Sequence, residues 1–90
     1  MVAHAGDGNT HPLIVVPRDD EAAHLRALQA FDDIMHAAIA LDGTITGEHG
    51  VGRTKKSALP AQVGEDVMAL SRRVKDALDP HGILNPGAIL

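Results

Sequence analysis

The stretch from Glu21 to about Asp42 constrains the fold most strongly. Within it Leu28, Phe31, Met35 and Ala38 recur at alternating spacings of three and four, and Ile34 and Leu41 widen the stripe. Such a period lines one face of an α-helix with apolar side chains. Asp19 and Asp20 precede it, suited to capping the helix start and to favourable charge at the positive end of its dipole. Gly43 follows as a stop. A second helix is expected from Glu65 to Leu78, with Val67, Leu70, Val74 and Leu78 on one face. Its acids (Glu65, Asp66) come first and its bases (Arg72, Arg73, Lys75) later, as the dipole favours, and Pro80 ends it.

The remaining segments are short or irregular. Residues 2–5 and 11–16 are expected to form two strands around Asp7-Gly8, a dipeptide suited to tight hairpin turns. Pro12 removes one backbone donor and Pro17 ends the second strand. The run "GTITGEHGVGRTKK" (43–56) is glycine-rich and aperiodic, hence a loop; "ALPAQVG" holds one helical turn; "HGILNPGAIL" is a turn-rich tail. The order is hairpin, long helix, glycine loop, second helix, irregular tail, an α+β arrangement within a single unit, residues 1–90.

A chain of ninety residues buries only about two-thirds of its unfolded surface. Here it has one aromatic residue, Phe31, so its core is short of large anchors and is expected to lean on another domain or another copy. The formal charge of −4 argues against general binding to nucleic acid or anionic membranes. With no cysteine there is neither a disulfide nor a zinc–thiolate site. No apolar run approaches a membrane span and no signal peptide leads the chain, so a cytoplasmic protein is expected.

"HAGDGNTH" (4–11) sets a histidine on each side of the turn. Counting outward from Asp7-Gly8 opposes Gly6 to Asn9, Ala5 to Thr10 and His4 to His11. Directly opposed residues have Cβ atoms about 4.5–5.5 Å apart on one face, close enough for two imidazoles to share an ion. A third ligand candidate, Glu48, lies in "TGEHGVG" beside His49. Two histidines and a carboxylate leave an open coordination position, as catalytic zinc sites do. His49 would then be a natural general base. Surface histidines and a solvated polar loop account for the same residues. "GEHGVGRT" also approaches a phosphate-binding loop, but Arg53 stands where lysine belongs and a helix, not a strand, precedes it. His24 and His36 are expected to face solvent, and His81 sits in a turn. Lys55 and Lys56 are read as a solvated pair.

Three separated stretches, "HAGDGNTHP", "GTITGEHGVGRTKK" and "DPHGILNPGAIL", together resemble the C-terminal region of the FAD-linked oxidases of the vanillyl-alcohol-oxidase superfamily. The branch they resemble holds the glycolate oxidase flavoprotein subunit, D-lactate dehydrogenase and D-2-hydroxyglutarate dehydrogenase. The resemblance covers nearly the whole chain. It implies that His4, His11 and Glu48 hold a divalent ion (zinc, manganese or iron), that His49 takes the hydroxyl proton of a 2-hydroxy acid, and that Asn9 lies near substrate or flavin. Asn85 is implied to pack toward a flavin domain. FAD is the implied cofactor, bound by a domain absent from these ninety residues, in cis or as a separate chain. Thr10 and Ala88 depart from the family's usual residues without touching the ligand set.

The resemblance therefore implies the C-terminal portion of a larger two-domain flavoenzyme, inactive by itself and with exposed hairpin edges that favour self-association. The alternatives are a stand-alone metal-binding or interaction module of that ancestry, and a small helical-hairpin protein whose glycine loops are only structural.

Overall fold

A computed structural model describes residues 1–90. Strand β1 (Val2–His4) pairs antiparallel with β2 (Asn9–His11). Helix α1 spans Glu21–Ala40, and helix α2 spans Leu59–Leu78 after a 3-10 turn at Lys56–Ala58. The α+β order expected from the sequence is the order observed.

The hairpin differs from expectation in register. Val2 faces His11, Ala3 faces Thr10 and His4 faces Asn9, so His4 and His11 are not directly opposed. The cause is the turn, in which Ala5–Asp7 winds into a 3-10 turn that Gly8 closes at φ 70°. The Gly8 amide donates back to the Ala5 carbonyl. Four residues are thus spent between His4 and Asn9. Relative to the expected pairing the strands slip by two residues, and an even slip keeps every side chain on its face. His4 and His11 remain neighbours, diagonally rather than across. The second strand also stops at His11 instead of running to residue 16. Its partner ends at Val2, and Pro12 has no N–H to continue the ladder.

Helix α1 starts where its caps dictate: the Asp20 carboxylate accepts from the Ala23 amide at 2.8 Å. It ends in a Schellman motif. The Gly43 amide reaches the Ala38 carbonyl at 2.8 Å, and the Asp42 amide reaches Ile39 at 3.0 Å. Asp42, not Gly43, takes the left-handed conformation (φ 58°). Glycine is needed at 43 for space, since a Cβ there would stand 2.9 Å from the Ala38 carbonyl oxygen. Gly43→Ala is therefore expected to lose about 1–3 kcal/mol, read as a shift in chemical unfolding followed by helical circular dichroism. In α2 the helical turn expected over "ALPAQVG" joins the main helix across a break at Gly64 (φ 78°, ψ 165°).

The core is small. Met35 of α1, Ile45 of the glycine loop and Ala58 of the 3-10 turn are buried together, with Phe31, Ile39, Val51 and Leu59 packed around them. One edge of α1 thus grips the glycine loop and the start of α2. Much of the apolar stripe read from the sequence stays outside: Leu28 on α1, Leu41 capping its end, and Val67, Leu70, Val74 and Leu78 on α2, are all about half exposed or more. His24 and His36 face solvent as expected. The accessible surface is 6867 Å², against about 5,000 Å² for a self-contained protein of this mass. The radius of gyration is 15.5 Å, against about 12 Å for a compact domain of ninety residues. No helix is long and apolar enough to cross a membrane.

Candidate metal centre

Two loops meet at one point. The hairpin presents His4 and His11 on a shared face, and the glycine loop brings Glu48 against them. Glu48 Oε1 lies 3.6 Å from His4 Nε2 and 3.5 Å from His11 Nε2. Ligand atoms of the three residues all fall within 4.8 Å of one another. These separations exceed an ordinary N–H···O hydrogen bond of about 2.9 Å. They approach the spacing of donors around a shared ion: with bonds of about 2.0–2.1 Å, tetrahedral donors sit roughly 3.3–3.4 Å apart. The chemistry of the set, two imidazoles and one carboxylate, suits a divalent cation.

His49 completes the cluster. Its ring stacks on His11 with centroids 5.0 Å apart and planes 22° apart. Its Nε2 is 3.7 Å from Glu48 Oε1. His4 meets the other edge of His11, with centroids 5.2 Å apart and planes at 85°. His11 is the most sheltered of the three rings.

Glu48 is held as a carboxylate. Its pKa lies below the ordinary range, first because its own backbone amide hydrogen-bonds to it and then because the Asn9 side-chain amide does. Partial desolvation works the other way, and the nearby His11 and His49 add smaller lowering effects. Asn9 stands opposite His4 on the hairpin, so its amide donates to Glu48 Oε2 while Oε1 faces the histidines. Its place is thus beside the candidate ligand Glu48; the resemblance implied a position near substrate or flavin and did not signal this contact. Fixing the second carboxylate oxygen is how partners of metal ligands orient them.

The glycine loop is shaped by its own hydroxyls. Thr46 Oγ1 donates to the Gly50 carbonyl at 2.6 Å and receives Lys55 Nζ at 3.2 Å. Gly47 is a close-approach position, where a Cβ would stand 3.0 Å from the Asn9 side chain. Together these close a short arch with Glu48 and His49 at its crown. Thr46 is a contributor that sequence reading passed over, because a threonine in an aperiodic loop carries no pattern, and Lys55, expected as one of a solvated pair, is tied to it. An open cavity of about 500 Å³ lies beside the arch, with Asn9, His11, Glu48, His49 and Lys55 on its wall. Asn85 is elsewhere: it sits in the tail at φ 46°, accepting from Arg53 Nη2 at 3.4 Å.

The fold and donor set define a small α+β unit that brings three potential metal ligands and a third imidazole together beside an open hollow. Residues 1–89 match the family described as FAD linked oxidases, C-terminal domain, and the chain belongs to that family. It is 39% identical, over all 90 residues, to the mitochondrial D-lactate dehydrogenase (cytochrome) of Arabidopsis thaliana, and covers 16% of that protein. It is 42% identical over 86 residues to the glycolate oxidase subunit GlcD of Escherichia coli K12, covering 96% of this chain and 17% of the relative. With GlcD of Bacillus subtilis the identity is 44% over 84 residues, 93% of this chain and 18% of the relative. The chain thus spans about a sixth of the length of these relatives.

Proposed function

We propose that this chain supplies the substrate-holding and proton-accepting side of a flavin-dependent oxidation of a 2-hydroxy acid. One observation carries the proposal: His4, His11 and Glu48 converge from two separate loops, with His49 stacked alongside. Two relatives are named for glycolate and D-lactate, both 2-hydroxy acids, which supports that substrate class. His4, His11 and Glu48 would hold a divalent ion, whose Lewis acidity would lower the pKa of the substrate hydroxyl. His49 Nε2 takes the hydroxyl proton. FAD, carried on a domain outside these residues, would supply the hydride-accepting chemistry, so that loss of this proton and of the hydrogen on the same carbon would give a 2-oxo acid. Asn9 keeps Glu48 turned toward the ligand histidines. Asn85, in the tail, belongs to the face turned toward the flavin domain. A cytoplasmic setting is part of the same proposal.

The test is made on the chain itself. Loaded with zinc or manganese, it is expected to bind glycolate or D-lactate more tightly than propionate, which lacks the hydroxyl. Equal binding of all three would overturn the substrate assignment.

A second reading is favoured by the assembly of the whole donor set within ninety residues: a metal-binding module that works without a flavin partner. The unpaired hairpin edges and exposed apolar stripe also favour self-association of the isolated chain.

A further inference from the structure

We infer that the C-terminal tail is a strap that positions the metal loop, with Arg53 as its buckle. The inference rests on the metal reading of His4, His11 and Glu48. The loop that carries Glu48 contains Gly50 (φ 73°) and Gly52 (φ 58°), conformations that glycine adopts at no steric cost but that do not hold themselves in one place. It therefore needs external anchors on both sides. On the N-terminal side they are the Ile45 amide on Gln62 Oε1 at 2.7 Å and the Asn9 side-chain amide on Glu48. On the C-terminal side Val51 packs against the Met35–Ile45–Ala58 core, and the hydrogen bonds of Gly52, Arg53 and Lys56 to another segment all run to the tail.

Four hydrogen bonds make that attachment. Arg53 Nη2 donates to the Pro86 carbonyl at 2.8 Å and to Asn85 Oδ1 at 3.4 Å. Lys56 Nζ donates to the Gly87 carbonyl at 3.3 Å, and the Ile89 amide donates to the Gly52 carbonyl at 2.8 Å. The tail is shaped for the contact. Asn85, Gly87 and Ile89 all have positive φ, and for a β-branched residue such as Ile89 that conformation is strained. A Cβ at Gly87 would stand 3.1 Å from Arg53 Nη1, so glycine there admits the guanidinium.

The tail has its own foundation in α2. The buried Asp79 carboxylate accepts the Ile83 amide at 2.9 Å and the Leu84 amide at 3.0 Å, and pairs with Lys75. Lys75 Nζ also donates to the Leu84 carbonyl at 2.6 Å. A continuous set of contacts thus runs from the end of α2, through residues 83–89, to Gly52 and Arg53, a few residues from Glu48. None of these groups is a ligand, and none lines the cavity beside Glu48. Arg53 is a positioning residue.

The test compares Arg53→Ala, Arg53→Lys, Gly87→Ala and the Arg53→Ala/Gly87→Ala double variant with the parent chain. Zinc affinity is measured by chelator competition, and exchange of the Gly50 amide is followed by NMR. Arg53→Ala and Gly87→Ala are each expected to weaken zinc binding about tenfold, the scale of losing a group that supports ligands. Their effects should not add in the double variant, because both break one contact. Arg53→Lys, which keeps a donor for Pro86, should recover most of the affinity. Helical circular dichroism should stay unchanged in all four. Affinities within twofold of the parent, or fully additive losses, would overturn the inference. If the parent binds no zinc the metal reading fails by itself. The strap is then decided by the Gly50 amide and by the contact between the Asn9 side chain and Glu48: loss of either in Arg53→Ala supports it, and retention of both refutes it.

Discussion

Glu48→Gln is expected to weaken divalent-metal binding by more than about 100-fold while leaving the fold intact. Groups that merely orient ligands typically account for 10–100-fold in affinity, and Glu48 would be a ligand. It is also the sole anionic donor of the three, and both histidines face one of its oxygens at 3.5–3.6 Å. Glutamine preserves the shape and removes the charge. The structural cost is small because the side chain is about half exposed and the loop is closed by Thr46 rather than by Glu48. Asn9→Ala is the companion variant: it frees the second carboxylate oxygen and is expected to fall in the 10–100-fold range. Chelator competition separates the two. Equal, small effects would mean that Glu48 is an ion-pair partner of the histidines and no ligand.

The largest stability effect is expected from Asp79→Asn. Asp79 is the one charged side chain buried in the protein, and it gathers Lys75 and two backbone amides. Its pKa is lowered first by the Lys75 hydrogen bond, against partial desolvation, and then by the amides of Leu84 and Ile83 and the Lys75 charge. A carboxyl whose pKa is lower folded than unfolded stabilises the fold above its unfolded value, about 3.9, and that contribution fades as pH falls through the folded value. The parent should therefore lose thermal stability on acidification below about pH 4. Asp79→Asn, lacking this titration, should lose less there. At neutral pH the variant should unfold several degrees lower, because Lys75 is left without its charge partner. A variant as stable as the parent at pH 7 would show that the tail is held by its backbone contacts alone.

Local chemistry was legible in the sequence where it acts locally. Asp20 capped α1, the acid-to-base order of the second helix matched its direction, and Asp7-Gly8 marked a turn. The hairpin register was not legible. Gly6, Asp7 and Gly8 permit both a two-residue turn and the longer 3-10 turn, and only the three-dimensional chain selects between them. The cluster of His4, His11 and Glu48 survives that error because an even slip preserves faces, so His4 and His11 still share one.

Burial was legible as a face and not as an outcome. Val67, Leu70, Val74 and Leu78 form the stripe that periodicity implied, yet within these ninety residues it stays about half exposed or more. Periodicity records which side of a helix is apolar and is silent on what meets it. Gly43 read correctly as a helix stop, although its part is close approach to Ala38 while Asp42 takes the left-handed turn. Asn9 and Arg53 act through contacts with residues far along the chain, and no spacing rule marks such residues.

The central claim is that the hairpin and the glycine loop together form a metal centre. Its most direct test is the metal content and affinity of the purified chain, beside a His4→Ala/His11→Ala double variant. One divalent ion per chain, absent from the double variant, is the predicted result. A metal-free parent that takes up no zinc, manganese or iron, or a double variant that binds as the parent does, would contradict it.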